Sequence, residues 1–425
     1  MRMFSEDQKA KPQLPNRESR SKSDSYEDLY KKFHSNPELS GQESATAELI
    51  AEHLRFHEAF TIHEKIGGHG IAAVLRNGPG KTILLRADID ALPILEQTDL
   101  PYASKKTQKD KNGIIRPVMH ACGHDTHIVS LLAAAGHLAI TRSSWSGSLV
   151  LVFQPAEENG QGAQAMVDDG LYSRFGIPIP DIVLGQHVGP FRGGNVTICN
   201  GVMLGAADSF KITFFGRGGH GSAPDKTIDP IVMASSAVLR LQTIVSREIN
   251  PKEEEAVVTV GSIQAGQAEN IIPDQAVMLL NIRTIDEKTR EKVLASVRRI
   301  VKAEADASGA IQPPTVEQIS RFPLTRNDQV STERLIAAFE KTFGSNFDST
   351  FPGSSASEDF SILATAIGKP YIYWAFGGID PDIWDDAVKN GKYIAGNHTP
   401  FFAPCIQPTL KTGTDALCTA ALTFF

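Results

Sequence analysis

The chain has little cysteine, no long apolar run and no surplus of positive charge, and each shortage removes a class of protein. Its 425 residues include four cysteines, Cys122, Cys199, Cys405 and Cys418, scattered instead of set out as a framework, so disulfides are not implied. No apolar stretch approaches the roughly 18 to 20 residues that span a bilayer, and the N-terminal MRMFSEDQKAKPQLPNRESRSKSDS lacks the apolar segment of a secretory signal. The same tail carries Glu6, Asp7, Glu18 and Asp24, acids in which a mitochondrial presequence is poor. A disordered tail over residues 1–25 and a cytoplasmic protein without membrane attachment are expected. Lys and Arg number 42 against 49 Asp and Glu, a net charge of -7, which leaves no basic face for nucleic acid. Small neutral or anionic molecules remain as partners. No internal repeat of solenoid length is present either.

What is present is alternation. Over 26–60 a helical pattern is broken at Pro37, which predicts two short helices. GIAAVLR, KTILLRADID, GSLVLVFQPAEE and PDIVLGQHV read as buried strands; DTHIVSLLAAAGHLAI and GQGAQAMVDDGLY read as helices between them. The fold class expected is α/β, a mostly parallel sheet flanked by helices. Between 206 and 315 the order becomes strand, helix, strand, strand, helix, strand, the βαββαβ arrangement of a ferredoxin-like unit. It reads as an inserted domain, because α/β patterning resumes with STERLIAAFEKTF and KPYIYWAFGG. The predicted division is therefore 26–205 with 316–425 as one domain and 206–315 as another.

In open α/β sheets functional groups collect past the carboxyl ends of the strands. TILLRADID ends in Asp88 and Asp90, SLVLVFQPAEE in Glu157 and Glu158, and DIVLGQHV in His187. MHACGHDTH, at 119–127, puts Cys122 and His124 just before a helix whose N-cap is expected at Asp125 or Thr126, and AGNHTPFF supplies His398. Singly, each has an ordinary structural reading: Asp125 as a cap, His120 or His127 as a hydrogen-bonded histidine, a Glu-Glu pair as a solvated one. Jointly they do not, since acids directly after an apolar strand and Pro155 are costly to gather without a cation. Imidazoles, a thiolate and carboxylates suit zinc or a related transition ion better than magnesium or calcium. With Cys122, His124, Glu158, His187 and His398 as candidate ligands, two ions about 3.5 Å apart are more economical than one. Neighbouring glutamates diverge on an extended backbone, so one of the two is free to act as a base.

RADIDALP, MHACGHDTH, FQPAEENGQGAQAMVDDG, GQH, GRGGHGSAP with IDPI, ENIIPD, SEDF and NHTPFF resemble, in order, the motifs of the metal-dependent amidohydrolases that include auxin-conjugate hydrolases, hippurate hydrolases, aminoacylases and N-acetyl-diaminopimelate deacetylases. The likeness runs from about residue 26 to the C-terminus. It implies a catalytic domain holding two divalent metal ions, zinc or manganese, interrupted by a lid that also forms a homodimer. It further implies Cys122, His124, Glu158, His187 and His398 as ligands, Glu157 as general base for attack by a metal-bridging hydroxide, and Asp90 as a carboxylate behind the ligands. His220 and Asn270 would contact the substrate or the oxyanion, reaching the site from the partner subunit, and Arg283 would clamp a substrate carboxylate. The implied reaction is hydrolysis of the amide of an N-acyl amino acid or amino-acid conjugate.

Two departures touch the lid. Asp225 stands where members commonly have histidine, and NIRT replaces a Gly-Thr-x-Arg pattern around Arg283, so substrate contacts are what they put in doubt. GRGGHG at 216–221 satisfies a dinucleotide fingerprint, but SAPDKTIDP follows where a phosphate-binding helix should open. No G-x-S-x-G elbow supports a serine hydrolase. Cys122 as a covalent nucleophile, a dipeptidase of the same wider group, and a non-catalytic conjugate-binding homologue are the competing readings.

Overall fold

A computed structural model describes residues 25–425. The expected tail over 1–25 falls, but for Ser25, outside the described residues. Ser25 caps the first helix, Tyr26–Ser35, its Oγ accepting from the Asp28 N–H at 3.1 Å. Pro37 stands in the break before the second helix, Ser44–Arg55. Among the described residues no helix is long and apolar enough to cross a membrane.

An eight-stranded sheet carries the first unit, in the order 61–66, 70–77, 147–154, 82–88, 182–192, 371–379, 196–197 and 347–348. Its four central strands, 147–154, 82–88, 182–192 and 371–379, run parallel. Ile83, Leu84 and Leu85 are buried on both faces, which is why these strands read as continuous apolar runs and not as alternations. Helices Tyr26–Ser35, Ser44–Arg55, His124–Ile140 and Thr409–Phe424 contribute to the core on one face, and Ala163, Met166 and Leu363 to that on the other. The helix His124–Ile140 is apolar nearly all round because nearly all of it is buried.

The second unit has its own core. Strands 206–215, 256–265, 275–284 and 315–322 form a four-stranded antiparallel sheet in the order 256–265, 275–284, 206–215, 315–322, with helices Pro230–Thr243 and Glu287–Ala307 packed on it. Ala276, Met278, Leu280 and Ile282 alternate inward toward these helices. Buried Arg290 grips Asp208 with two hydrogen bonds, at 2.8 and 3.0 Å, and ties helix to sheet. The fourth strand runs to Phe322, past the residue at which the sequence pattern ends the unit. Two short strands, Val202–Leu204 and Thr325–Arg326, pair where the chain passes between the units.

The parallel register aligns the functional ends. Asp88 lies opposite Gln154, and Arg86 opposite Gly185, so the segments that follow carry Asp90 and Glu157 to the edge of the sheet where His187 stands; the strand read as ending at His187 runs on to Arg192.

Candidate metal centre

Cys122 and His124 flank a glycine that the geometry requires. Gly123 has φ +80°, and a Cβ there would lie 2.4 Å from Val188 Cγ1. Gly123 is also the N-cap of the helix, which corrects the expectation of Asp125 or Thr126: the Asp125 carboxylate instead accepts from its neighbour's N–H and meets His34 Nδ1 at 2.6 Å. His34 lies 91 residues away in sequence, so no local pattern announces it.

The histidines have their tautomers set from behind. His124 Nδ1–H donates to the Asp90 carbonyl at 2.9 Å and His187 Nδ1–H to the Val188 carbonyl at 2.7 Å, which leaves each Nε2 as the ring atom free to ligate. Burial opposes the His124 charge, but Asp88 and Asp90 push the ring up to about 10, so a cation there would displace its Nε2 proton. His187 Nε2 is 3.4 Å from Cys122 Sγ. His398, held at φ +67° with its N–H on the Ala121 carbonyl, brings Nε2 within 3.2 Å of Cys122 Sγ and 3.3 Å of Glu158 Oε1. His124 Nε2 is 3.9 Å from Glu158 Oε1. All five side chains singled out as ligands therefore converge.

This donor set fits a divalent cation on an observation of its own. His124 Nε2 and Glu158 Oε1 are buried without a hydrogen-bond partner among the described residues. A buried polar atom left so costs about 1–3 kcal/mol, a cost a cation would remove. Burial, then the charges of Glu158 and Glu157, push the Cys122 thiol up, so without a cation it would not be a thiolate. That counts against Cys122 as a free nucleophile. Burial, followed by Glu358 and Glu158, likewise pushes Glu157 well up. Its carboxylate is 3.8 Å from His124 Nε2.

His127 is structural: Nδ1 meets Asp88 Oδ1 at 2.5 Å and Nε2 accepts from the Val188 N–H at 2.8 Å. His120, by contrast, is buried with neither ring nitrogen hydrogen-bonded among the described residues, and burial holds it down at about 4. Asp90 accepts from Ser40 Oγ at 2.7 Å and from the Glu158 N–H at 3.1 Å, which places it behind the ligands.

A buried layer under the site was not singled out from sequence. Arg86 reaches Asp88 at 2.7 Å, Glu358 at 2.8 Å and Gln154 at 2.9 Å, and Tyr373 Oη–H donates to Glu358 at 2.6 Å. Its signal was available: an arginine inside the apolar TILLRADID, and the acid pair of SEDF.

A cavity of about 590 Å³ opens on Cys122, Glu157, Glu158, His187 and His398. Phe191, Met203, Phe322 and Phe351 supply apolar walls, with Phe191 and Phe351 edge to face at 5.8 Å. Arg283 also lines it, donating to the Ser355 carbonyl at 2.6 Å. His220 and Asn270 do not. His220 lies on an exposed two-stranded ribbon, paired with Ile271, and exposed Asn270 is in the turn just before it, its carbonyl accepting from the Gly221 N–H at 2.8 Å. GRGGHG leads into that ribbon and a 3-10 turn at Pro224–Lys226, not into a helix, so the dinucleotide reading fails.

A sheet of this topology with converging imidazole, thiol and carboxylate groups at its carboxyl edge is that of a metal-dependent hydrolase. The chain belongs to peptidase family M20/M25/M40, whose profile matches residues 84–418. A hippurate hydrolase of Campylobacter jejuni is 40% identical over 372 residues, 87% of this chain and 91% of that one. Thermostable carboxypeptidase 2 of Saccharolobus solfataricus is 37% identical over 405 residues, 93% and 94% of the two chains. The solved structure of YXEP from Bacillus subtilis, a dinuclear metal-binding M20 peptidase, superposes with a TM-score of 0.72 at 27% identity, covering 93% of this chain and 96% of that one. The protein is a metal-dependent amidohydrolase.

Proposed function

We propose that the protein hydrolyses the amide bond of N-acyl amino acids carrying a bulky or aromatic acyl group. The observation that carries this reading is the pair of buried, unpartnered donors, His124 Nε2 and Glu158 Oε1, beside the Glu157 carboxylate in an apolar-walled cavity. Cys122, His124, Glu158, His187 and His398 would hold two divalent cations, zinc or manganese: the thiolate and imidazoles favour zinc, and the carboxylate admits manganese. Bound there, such cations supply Lewis acidity and lower the pKa of a water toward neutrality. Glu157 takes the proton of the attacking water and passes it to the amine nitrogen as the C–N bond breaks. Asp90 keeps His124 and Glu158 oriented through the contacts described above.

Arg283 is proposed to take the substrate carboxylate. It is half-buried, its hydrogen bonds among the described residues go to the neutral Ser355 and Ser357, and burial pushes its guanidinium below its ordinary value. An anion would relieve that. Arg283→Met is expected to raise KM for N-acyl amino acids about 10- to 100-fold, the loss of a charged hydrogen bond, with kcat nearly unchanged. An unaltered KM in steady-state kinetics would free the carboxylate from this residue. His220 and Asn270, exposed and off the cavity, fit a supply of oxyanion contacts from the second subunit of a homodimer joined through the lid. The reaction and its small substrates call for no membrane or nucleic acid, and a cytoplasmic site is part of the same proposal.

The test is to strip the protein with a chelator and assay acetyl, benzoyl, indole-acetyl and long-chain acyl amino acids, and free dipeptides, with zinc, manganese or cobalt restored. Activity should vanish on chelation and return with metal, highest on aromatic acyl groups. Turnover of dipeptides alone would replace this reading with a dipeptidase.

A further inference from the structure

Glu43 is fully buried at the head of the helix Ser44–Arg55. Its Oε1 accepts from the Gly41 N–H at 2.6 Å and from the Ala156 N–H at 2.9 Å. Ala156 immediately precedes Glu157 and has φ +49°, a left-handed conformation that residues with a Cβ seldom adopt. Its carbonyl accepts from the Gly162 N–H at 3.1 Å, and a Cβ on Gly162 would lie 1.6 Å from the Pro155 carbonyl oxygen, so the turn is closed tightly on itself. At the other end of the glutamate pair the Glu158 N–H donates to Asp90, which accepts in turn from Ser40. Residues 40–43 thus brace both ends of the Glu157–Glu158 step, Ser40 through Asp90 and Glu43 directly.

The arrangement is expensive for a fold alone. Burial and then the charge of Asp90 push Glu43 up to about 7, so an apolar side chain would serve packing better than a second buried carboxylate beside Asp90. We propose that Glu43 is a positioning residue for amide hydrolysis, fixing the Ala156 N–H so that the strained turn aims Glu157 into the cavity and Glu158 toward His124 and His398. This rests on the reading of Glu157 as the proton carrier.

The test uses the full-length, metal-loaded protein. Glu43→Leu keeps the volume and removes the acceptor; it should fold, with a circular dichroism spectrum like the parent's and a melting temperature lowered only modestly by the stranded Ala156 N–H, and bind metal at saturating concentration. Its kcat should fall about 10- to 100-fold, the range for lost outer contacts, with KM little changed. Glu43→Gln, whose amide oxygen can accept the same two N–H groups, should keep kcat within about threefold. Adding Ala156→Gly to Glu43→Leu should recover about fivefold in kcat, because glycine takes the positive φ without help. Glu43→Leu with parental kcat overturns the proposal. So does a Leu variant that fails to fold, which would make Glu43 part of the scaffold, and so does a Gln variant as impaired as the Leu one. If Glu157→Gln itself turned over substrate, the reading beneath would fail, whatever Glu43 did.

Discussion

Glu157→Gln is expected to lower kcat about 10³-fold, within the range that loss of a general base produces. The amide keeps the shape of the side chain but cannot take a proton from water, and among the described residues nothing else in the cavity is placed to replace it. Of the neighbouring acids, Glu158 is one of the proposed ligands, and Asp90 is held by Ser40 and the Glu158 N–H. Glu358 is tied to Arg86 and Tyr373 beneath the site. Folding should not suffer, because burial and then the charges of Glu358, Glu158 and Asp359 already oppose ionisation of Glu157, and a neutral amide does not carry that cost. Bound metal, measured by elemental analysis after gel filtration, should match the parent, since the five proposed ligands are untouched. A variant within about tenfold of parental kcat would take Glu157 out of the chemistry, as so small a loss falls below what a base contributes.

How much of this was legible depended on whether the signal was local. Glu157, Glu158 and His187 stand late in or just beyond apolar runs, and a parallel sheet turns that sequence position into one spatial edge, while Cys122 and His124 announce themselves by the density of MHACGHDTH at the start of a helix. The four-stranded unit was legible for a similar reason: its helices and strands each carry a clean period. What was lost was set by contacts across the chain. The Asp125 carboxylate looked like a helix cap because caps are local, but a buried His34 claims it. His127, three residues after His124, and His120, four before it, look alike in sequence, yet one has both nitrogens bonded and the other has neither among the described residues. Glu43 gives no signal beyond a polar GQES, because its partner is the backbone of Ala156, 113 residues on. Arg86 was visible as a charge inside an apolar strand, but its meaning needed Glu358, 272 residues away.

Arg86→Met is expected to be the most damaging single change to the fold. The guanidinium is fully buried among Asp88, Glu358 and Asp359, and methionine fills most of its volume while leaving those carboxylates without their cation. Removing one member of a buried ion pair costs about 3–5 kcal/mol, against a total stability of about 5–15 kcal/mol for a typical domain. The variant should therefore unfold at much lower urea, or fail to accumulate folded, and Arg86→Lys should fall between, since an ammonium restores the charge but not the fork that spans Asp88 and Glu358. Metal affinity should fall as well. Asp88 both fixes His127 and lies 3.7 Å from His124 Nε2, so a displaced Asp88 disturbs the ligands from behind. The deficit should also depend on pH with a defined sign. Burial opposes the Asp88 charge, but His124, His127 and Arg86 together hold its carboxyl well below the ordinary range. The stability this gives the parent is present above the ordinary carboxylate pKa and is lost as pH falls through the depressed one. Urea midpoints of parent and Arg86→Met should thus draw together on acidification. A gap that is constant or widens toward acid would show that Arg86 acts through its volume and not its charge.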